Sequence, residues 1–186
     1  MKKEIRVLGI DDAPFDKFKK GNVLVVGTIF RGGSWLDGLL STKVRIDGNN
    51  STDKLIKMIN KCKFKPQLQA IILDGIAFGG FNIVDVKKLS KKTSIPVIIV
   101  IRHMPDFKKI KETLKKLGKE IKYKLIEKAG EVHKVGKIYV QINGISLKGA
   151  DEVLKITCTR SLLPEPIRVA HMIAAGIVLG ESKGKA

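Results

Sequence analysis

The sequence predicts an α/β fold built on a mixed sheet, with three antiparallel strands followed by parallel ones. Residues 1–46 hold three strand-like runs separated by breaks too short for a crossover helix. Residues 47–102 then alternate helical and strand patterns, and their strands AIILD (70–74) and PVIIVIR (96–102) are continuous apolar runs, as parallel strands buried on both faces are. A chain of 186 residues, 44% hydrophobic, with six prolines and no polar low-complexity tract, suits one compact domain over 1–186.

Taken in order, EIRVLGI (4–10) reads as the first strand, VLVVGTIF (23–30) as the second and Thr42 to Ile46 as the third, each break marked by glycine or polar residues. NNSTDKLIKMINKC follows, with Ser51 or Thr52 as the helix cap and Leu55, Ile56, Met58, Ile59 and Cys62 forming an apolar stripe of helical period. The strand at 70–74, a helix over 82–92 and the strand at 96–102 come next. Further helices are predicted at 105–118, 147–158 and 166–180, with a hairpin or irregular strands over 123–142. This order of elements is that of the ribonuclease H-like fold, with sheet order 3-2-1-4-5.

The opening MKKEIRVLGIDD has charges and then a short apolar run broken by two aspartates, unlike a signal peptide or a membrane anchor. No window holds the roughly 18 apolar residues of a spanning helix, so a soluble, cytoplasmic protein is expected. Cys62 and Cys158, without a CxxC or a His/Cys cluster, read as free thiols rather than a zinc site or a disulfide. The net charge of +18 is compatible with a nucleic-acid partner, because basic groups facing phosphates release counterions. Thirty lysines against six arginines, spread along the chain, fit a thermophile-like compositional bias equally well.

In the predicted sheet the first strand runs parallel to the fourth, so Asp11 and Asp74 end neighbouring strands at one edge. Two adjacent carboxylates repel unless one is protonated or a cation lies between them. Mg2+ or Mn2+ takes such oxygen ligands and activates water for phosphodiester hydrolysis. Gly75, Gly79 and Gly80 after Asp74 would let a substrate backbone come close. Asp74-Gly75 is also an ordinary turn dipeptide, and acidic residues after strands are common turn formers and caps. Asp53 falls in the first turn of a helix, where the dipole favours a carboxylate in any case. Asp47 and Asp12 are its rivals as a third ligand, although consecutive strand residues such as Asp11 and Asp12 point to opposite faces. Near the end, Pro164, Glu165 and Pro166 suit a helix start, and Arg168 and His171 then lie three residues apart on one face. They could clamp a phosphate or carry a proton, or Arg168 could make a structural ion pair. His103 and His133 are read as non-catalytic.

LGIDDAPF, LDGIAFGGFN and CTRSLLPEPIRVAH, in this order and at these separations, resemble a group of archaeal relatives of endonuclease V over nearly the whole chain, and endonuclease V itself more distantly, most in the fold order and the last motif. That resemblance implies a ribonuclease H-like fold and cleavage of DNA or RNA near deaminated bases, notably inosine, with Mg2+ or Mn2+. It matches Asp11 and Asp74 to two metal-binding aspartates, puts the third carboxylate about where Asp53 stands, and places His171 close to the metal. One departure concerns the substrate. The family's tyrosine-and-proline wedge corresponds here to KVRIDGNNSTD, which has neither an aromatic nor a proline. Trp35 in FRGGSWLDG, with Arg31 of the same stretch as a nucleic-acid contact, is either the substitute, since opening a duplex needs a group to replace lost stacking, or, as a lone tryptophan, a packing residue.

The reading is a metal-dependent endonuclease-like protein acting on DNA or RNA at deaminated or structured sites. Asp11, Asp53, Asp74 and His171 are its catalytic set, and Arg168 contacts phosphate. The alternatives are a non-catalytic nucleic-acid or nucleotide-binding protein on the same fold, and an enzyme acting on a small phosphorylated metabolite.

Overall fold

The computed structural model describes residues 4–182. Its strands are β1 (Arg6–Asp12), β2 (Asn22–Arg31), β3 (Trp35–Arg45), β4 (Leu68–Asp74), β5 (Ala77–Phe78), β6 (Asn82–Ile83), β7 (Val97–Ile101), β8 (His133–Val135) and β9 (Ile138–Asn143). Its helices are α1 (Ser51–Asn60), α2 (Val86–Thr93), α3 (Phe107–Lys116), α4 (Glu120–Lys128), α5 (Leu147–Thr157) and α6 (Glu165–Leu179). The main sheet runs β3-β2-β1-β4-β7-β9-β8, with β1, β4 and β7 mutually parallel and the other pairings antiparallel. The expected 3-2-1-4-5 order is therefore present, extended by the β8–β9 hairpin.

Period-two alternation on β1 sends Leu8 and Ile10 into one core and Ile5 and Val7 into the other. The central strands β4 and β7 are buried along most of their length, as their unbroken apolar runs require. Among the described residues no helix is long and apolar enough to cross a membrane.

Several boundaries differ from expectation for identifiable reasons. The third strand begins at Trp35, well before Thr42, because it is an edge strand that leaves Leu36 and Leu39 exposed and so lacks clean alternation. Its pattern is further broken by a bulge: Ile29 pairs with Gly38 and Phe30 with Leu36, leaving Asp37 unopposed. Asp37 turns its carboxylate to Arg6 and Arg31, whose hydrogen bonds and charge hold its pKa below the usual range. The cap of α1 is Asn50, not Ser51 or Thr52. Those two hydroxyls make tertiary contacts: Ser51 donates to the Ile83 carbonyl, and Thr52 accepts from the Asp85 amide. The helix expected from residue 82 starts at Val86, after β6 and the Asp85 cap. Residues 123–128, expected in the hairpin region over 123–142, belong instead to α4.

Helix α6 is seated on β1 and β2 by a glycine. A Cβ at Gly9 would lie 2.4 Å from Pro166, and Thr28 Oγ1 donates to the Pro166 carbonyl at 2.6 Å. From Pro166 to His171 the helix rises about 7.5 Å, close to the roughly 6.7 Å from Gly9 to Asp11 along the strand. The seat thus delivers His171 to Asp11.

Candidate active site

Ile10 of β1 pairs with Leu73 of β4, so the next residues, Asp11 and Asp74, end adjacent parallel strands, whose axes are about 4.8 Å apart. Asp11 is only 5% exposed. Its Oδ1 accepts from the Asp12 amide at 2.8 Å, and its Oδ2 lies 2.8 Å from His171 Nδ1. Burial, then the charges of Asp74 and Asp12, push the Asp11 carboxyl up to about 8. Asp12 points elsewhere and accepts from the Gly79 amide at 2.6 Å; burial above all raises its pKa to about 6. Asp74 is paired with Arg102 at 2.9 Å. Asp11, Asp12, Phe15, Asp74, Arg102 and His171 line an open cleft of about 520 Å³. A cleft that holds two carboxylates side by side and raises the Asp11 carboxyl is chemically suited to a cation.

The glycines after Asp74 divide by environment. Gly75, at φ +77°, has no atom within 4 Å of where a Cβ would sit. It leaves open space beside Asp74. Gly80, at φ +83°, is packed instead, because its Cβ would meet Asp47 Oδ1 at 2.5 Å.

A family model described as endonuclease dU matches residues 3–178. The chain belongs to that family. A "UPF0215 protein" of Methanothermobacter thermautotrophicus is 49% identical over all of this chain and 94% of its own. The crystal structure of an Archaeoglobus fulgidus protein of unknown function superposes with a TM-score of 0.88 at 39% identity, covering 94% of this chain and 99% of that one. Endonuclease V of Ciona intestinalis, in complex with a 24mer DNA containing an inosine followed by a ribo-adenosine, aligns at a TM-score of 0.55 and 18% identity. It covers 90% of this chain and 83% of its own, which shows a shared fold. The chain thus has the ribonuclease H-like fold that its element order predicts.

Not every candidate residue reaches the cleft. Asp53 is ion-paired with Lys88 at 2.7 Å, has a side chain 68% exposed, and lines a different cleft with Asp85 and Lys122. The first turn of α1 faces α2, which is why a carboxylate at this sequence distance from Asp74 does not join it. Asp47 accepts from the Phe81 amide and pairs with Lys119. Arg168 is held by Glu165 through two hydrogen bonds of 2.9 and 2.6 Å, the ion-pair alternative, and is not among the residues lining the cleft.

Trp35 and Arg31 stand at the wrong end of the sheet for work beside the carboxylates. Trp35 pairs with Arg31 and Arg31 with Arg6, five residues or about 17 Å before Asp11 along β1. Conversely, Arg102 was not singled out in the sequence. The signal was available, since it is the last residue of the strand expected over 96–102, which ends at the same edge as Asp74.

A second cluster ties α4 to the loops after β3 and β5. Lys122, 6% exposed, donates from Nζ to the carbonyls of Asp47, Gly48 and Phe81 at 2.8, 2.8 and 2.7 Å. Burial, then the Lys119 charge, lowers its pKa, and the three carbonyls use all three of its donors. Helix α4 is thereby tied to the loop that presents Gly79 to Asp12.

Proposed function

We propose that the protein is a divalent-metal-dependent endonuclease that hydrolyses phosphodiesters in DNA or RNA at deaminated bases. The observation that carries this reading is the meeting of Asp11 and Asp74 in an open cleft, with burial and mutual repulsion raising the Asp11 carboxyl to about 8. A cation would relieve that repulsion. Hard oxygen donors select Mg2+ or Mn2+ over softer ions. Among the described residues no three His, Cys, Asp or Glu side chains form a ready metal cage. The fit is therefore to an open site of two carboxylates completed by water and substrate phosphate, as Mg2+ commonly adopts.

Asp11 and Asp74 would hold the ion, which when bound supplies charge stabilisation at the phosphate and a more acidic water. His171 faces Asp11 Oδ2 through Nδ1 and would orient that carboxylate and hold a proton there. Arg102 neutralises Asp74 in the free protein and, partly exposed, would turn its guanidinium to an incoming phosphate oxygen. The open space at Gly75 would admit the substrate backbone.

The name of the family supports deoxyuridine-containing DNA as the first substrate to test. The Ciona complex supports DNA with a deaminated base as the second. The experiment is cleavage of duplex and single-stranded oligonucleotides bearing one uracil or one inosine, with Mn2+, Mg2+ or EDTA. Metal-dependent scission by the wild type that is lost in Asp11→Asn and Asp74→Asn supports the reading. Tight, metal-independent binding without scission of any substrate would replace it with the binding-module reading.

A further inference from the structure

The β1–β2 loop, residues 13–21, leaves the sheet directly after Asp12, and its Ala13, Pro14 and Phe15 line the carboxylate cleft. Three residues beyond Phe15, Phe18 is 88% exposed, the highest value among the exposed large hydrophobic side chains. Its presentation is ordered by a tight turn. The Phe18 amide donates to Asp16 Oδ1 at 3.0 Å and the Lys19 amide to the Asp16 carbonyl at 3.1 Å, which turns the ring outward. Lys17 Nζ lies 5.2 Å from the ring centroid, and Lys19 pairs loosely with Asp16 at 3.6 Å. An aromatic ring with Lys17 beside it and Lys19 and Lys20 next in the chain presents a π face and phosphate-binding groups together. Single-stranded nucleic acid is held by that combination of stacking and charge.

We propose that this loop is a nucleobase-docking post, in which the Phe18 ring stacks on a base of the bound strand while Lys17, Lys19 and Lys20 contact the flanking phosphates. The inference rests on the nuclease reading for the location of the strand, and it identifies which side of the cleft the strand crosses. Three residues of chain reach at most about 11 Å, so a base on Phe18 is no more than about three nucleotide steps of 3.4 Å from Phe15 at the cleft edge. Trp35, the aromatic weighed as a wedge from the sequence, is also well exposed at 65%. It lies at the opposite end of the sheet.

The test is affinity of the full chain for a labelled single-stranded 12-mer, measured in EDTA across a salt series, for the wild type, Phe18→Ala, Phe18→Trp, Trp35→Ala and the triple change of Lys17, Lys19 and Lys20 to Ala. Loss of one stacked base costs about 1–3 kcal/mol, so Phe18→Ala should weaken binding roughly 5- to 150-fold. Phe18→Trp should stay within a few-fold of the wild type, and Trp35→Ala should be unchanged. The triple lysine change should lower the slope of log affinity against log salt by about 2. Phe18→Ala binding as the wild type does, or a wild type that does not bind, overturns the proposal. Phe18-dependent binding without metal-dependent scission refutes the nuclease reading and leaves the post standing. Scission with unaltered Phe18→Ala affinity does the reverse.

Discussion

Replacing Asp11 by Asn should stabilise the metal-free protein at neutral pH, even though it removes a central residue of the site. Asp11 has a carboxyl raised from 3.8 to about 8 in the folded chain. Between those values the unfolded chain has released the proton and the folded chain retains it, so stability falls as pH rises, by about 1.4 kcal/mol per unit. At pH 7 the accumulated cost is on the order of 4 kcal/mol. Asn resembles the neutral carboxyl in shape and removes the titration altogether. Its Oδ1 can still accept from the Asp12 amide, and its amide group can face His171 Nδ1, so both existing contacts have a counterpart. Denaturant unfolding in EDTA should give Asp11→Asn a gain of about 1–4 kcal/mol at pH 7, equivalent to about 3–15 °C in Tm. That gain should shrink toward zero as pH falls to 4. A variant less stable than the wild type at pH 7, or a gain independent of pH between 4 and 7, would refute the reasoning.

Other perturbations follow from the same contacts. Lys122→Met leaves three part-buried carbonyls without their donor and should cost about 2–4 kcal/mol, read as a fall in Tm by calorimetry. Gly9→Ala places a methyl 2.4 Å from Pro166, so it should destabilise the chain and also displace His171 from Asp11; a drop of about 1–3 kcal/mol together with weakened Mn2+ binding is expected. Gly75→Ala should cost only the backbone strain of a positive φ, about 1–2 kcal/mol, whereas Gly80→Ala adds a collision with Asp47 and should lower Tm further. Mn2+ at a hundred times its Kd should stabilise the wild type by about 2.7 kcal/mol and leave Asp74→Asn unmoved in the same thermal scan.

The sheet order was legible because short connections force antiparallel neighbours and apolar runs separated by helices force parallel ones. The edge of the sheet was less so. Leu36 and Leu39 face solvent and Asp37 bulges out, which erased the alternation that would have shown β3 in full. Helix α4 was hidden for a related reason, since its buried positions include a lysine, Lys122, that reads in sequence as one more solvated charge. At the site, strand ends were readable: Asp11 and Asp74 follow paired residues, and the proline-marked start of α6 set the phase that brings His171 to Asp11. What sequence could not supply was the direction of side chains on helix first turns. Asp53 and Arg168 each found a charge on a neighbouring element or the same helix, Lys88 and Glu165, before they could reach the cleft. The separation of Trp35 from the carboxylates follows only from strand register, which a single sequence leaves open at a bulged edge.

The central claim, that Asp11 and Asp74 together hold a hard divalent ion, is tested most directly by calorimetric titration of Mn2+ into the wild type, Asp11→Asn, Asp74→Asn and Asp53→Asn, with a non-cleavable oligonucleotide present. The account predicts one site in the wild type, its loss in the Asp11 and Asp74 variants, and its retention in Asp53→Asn. Absence of binding in the wild type, or binding that survives both Asp11→Asn and Asp74→Asn, would contradict it.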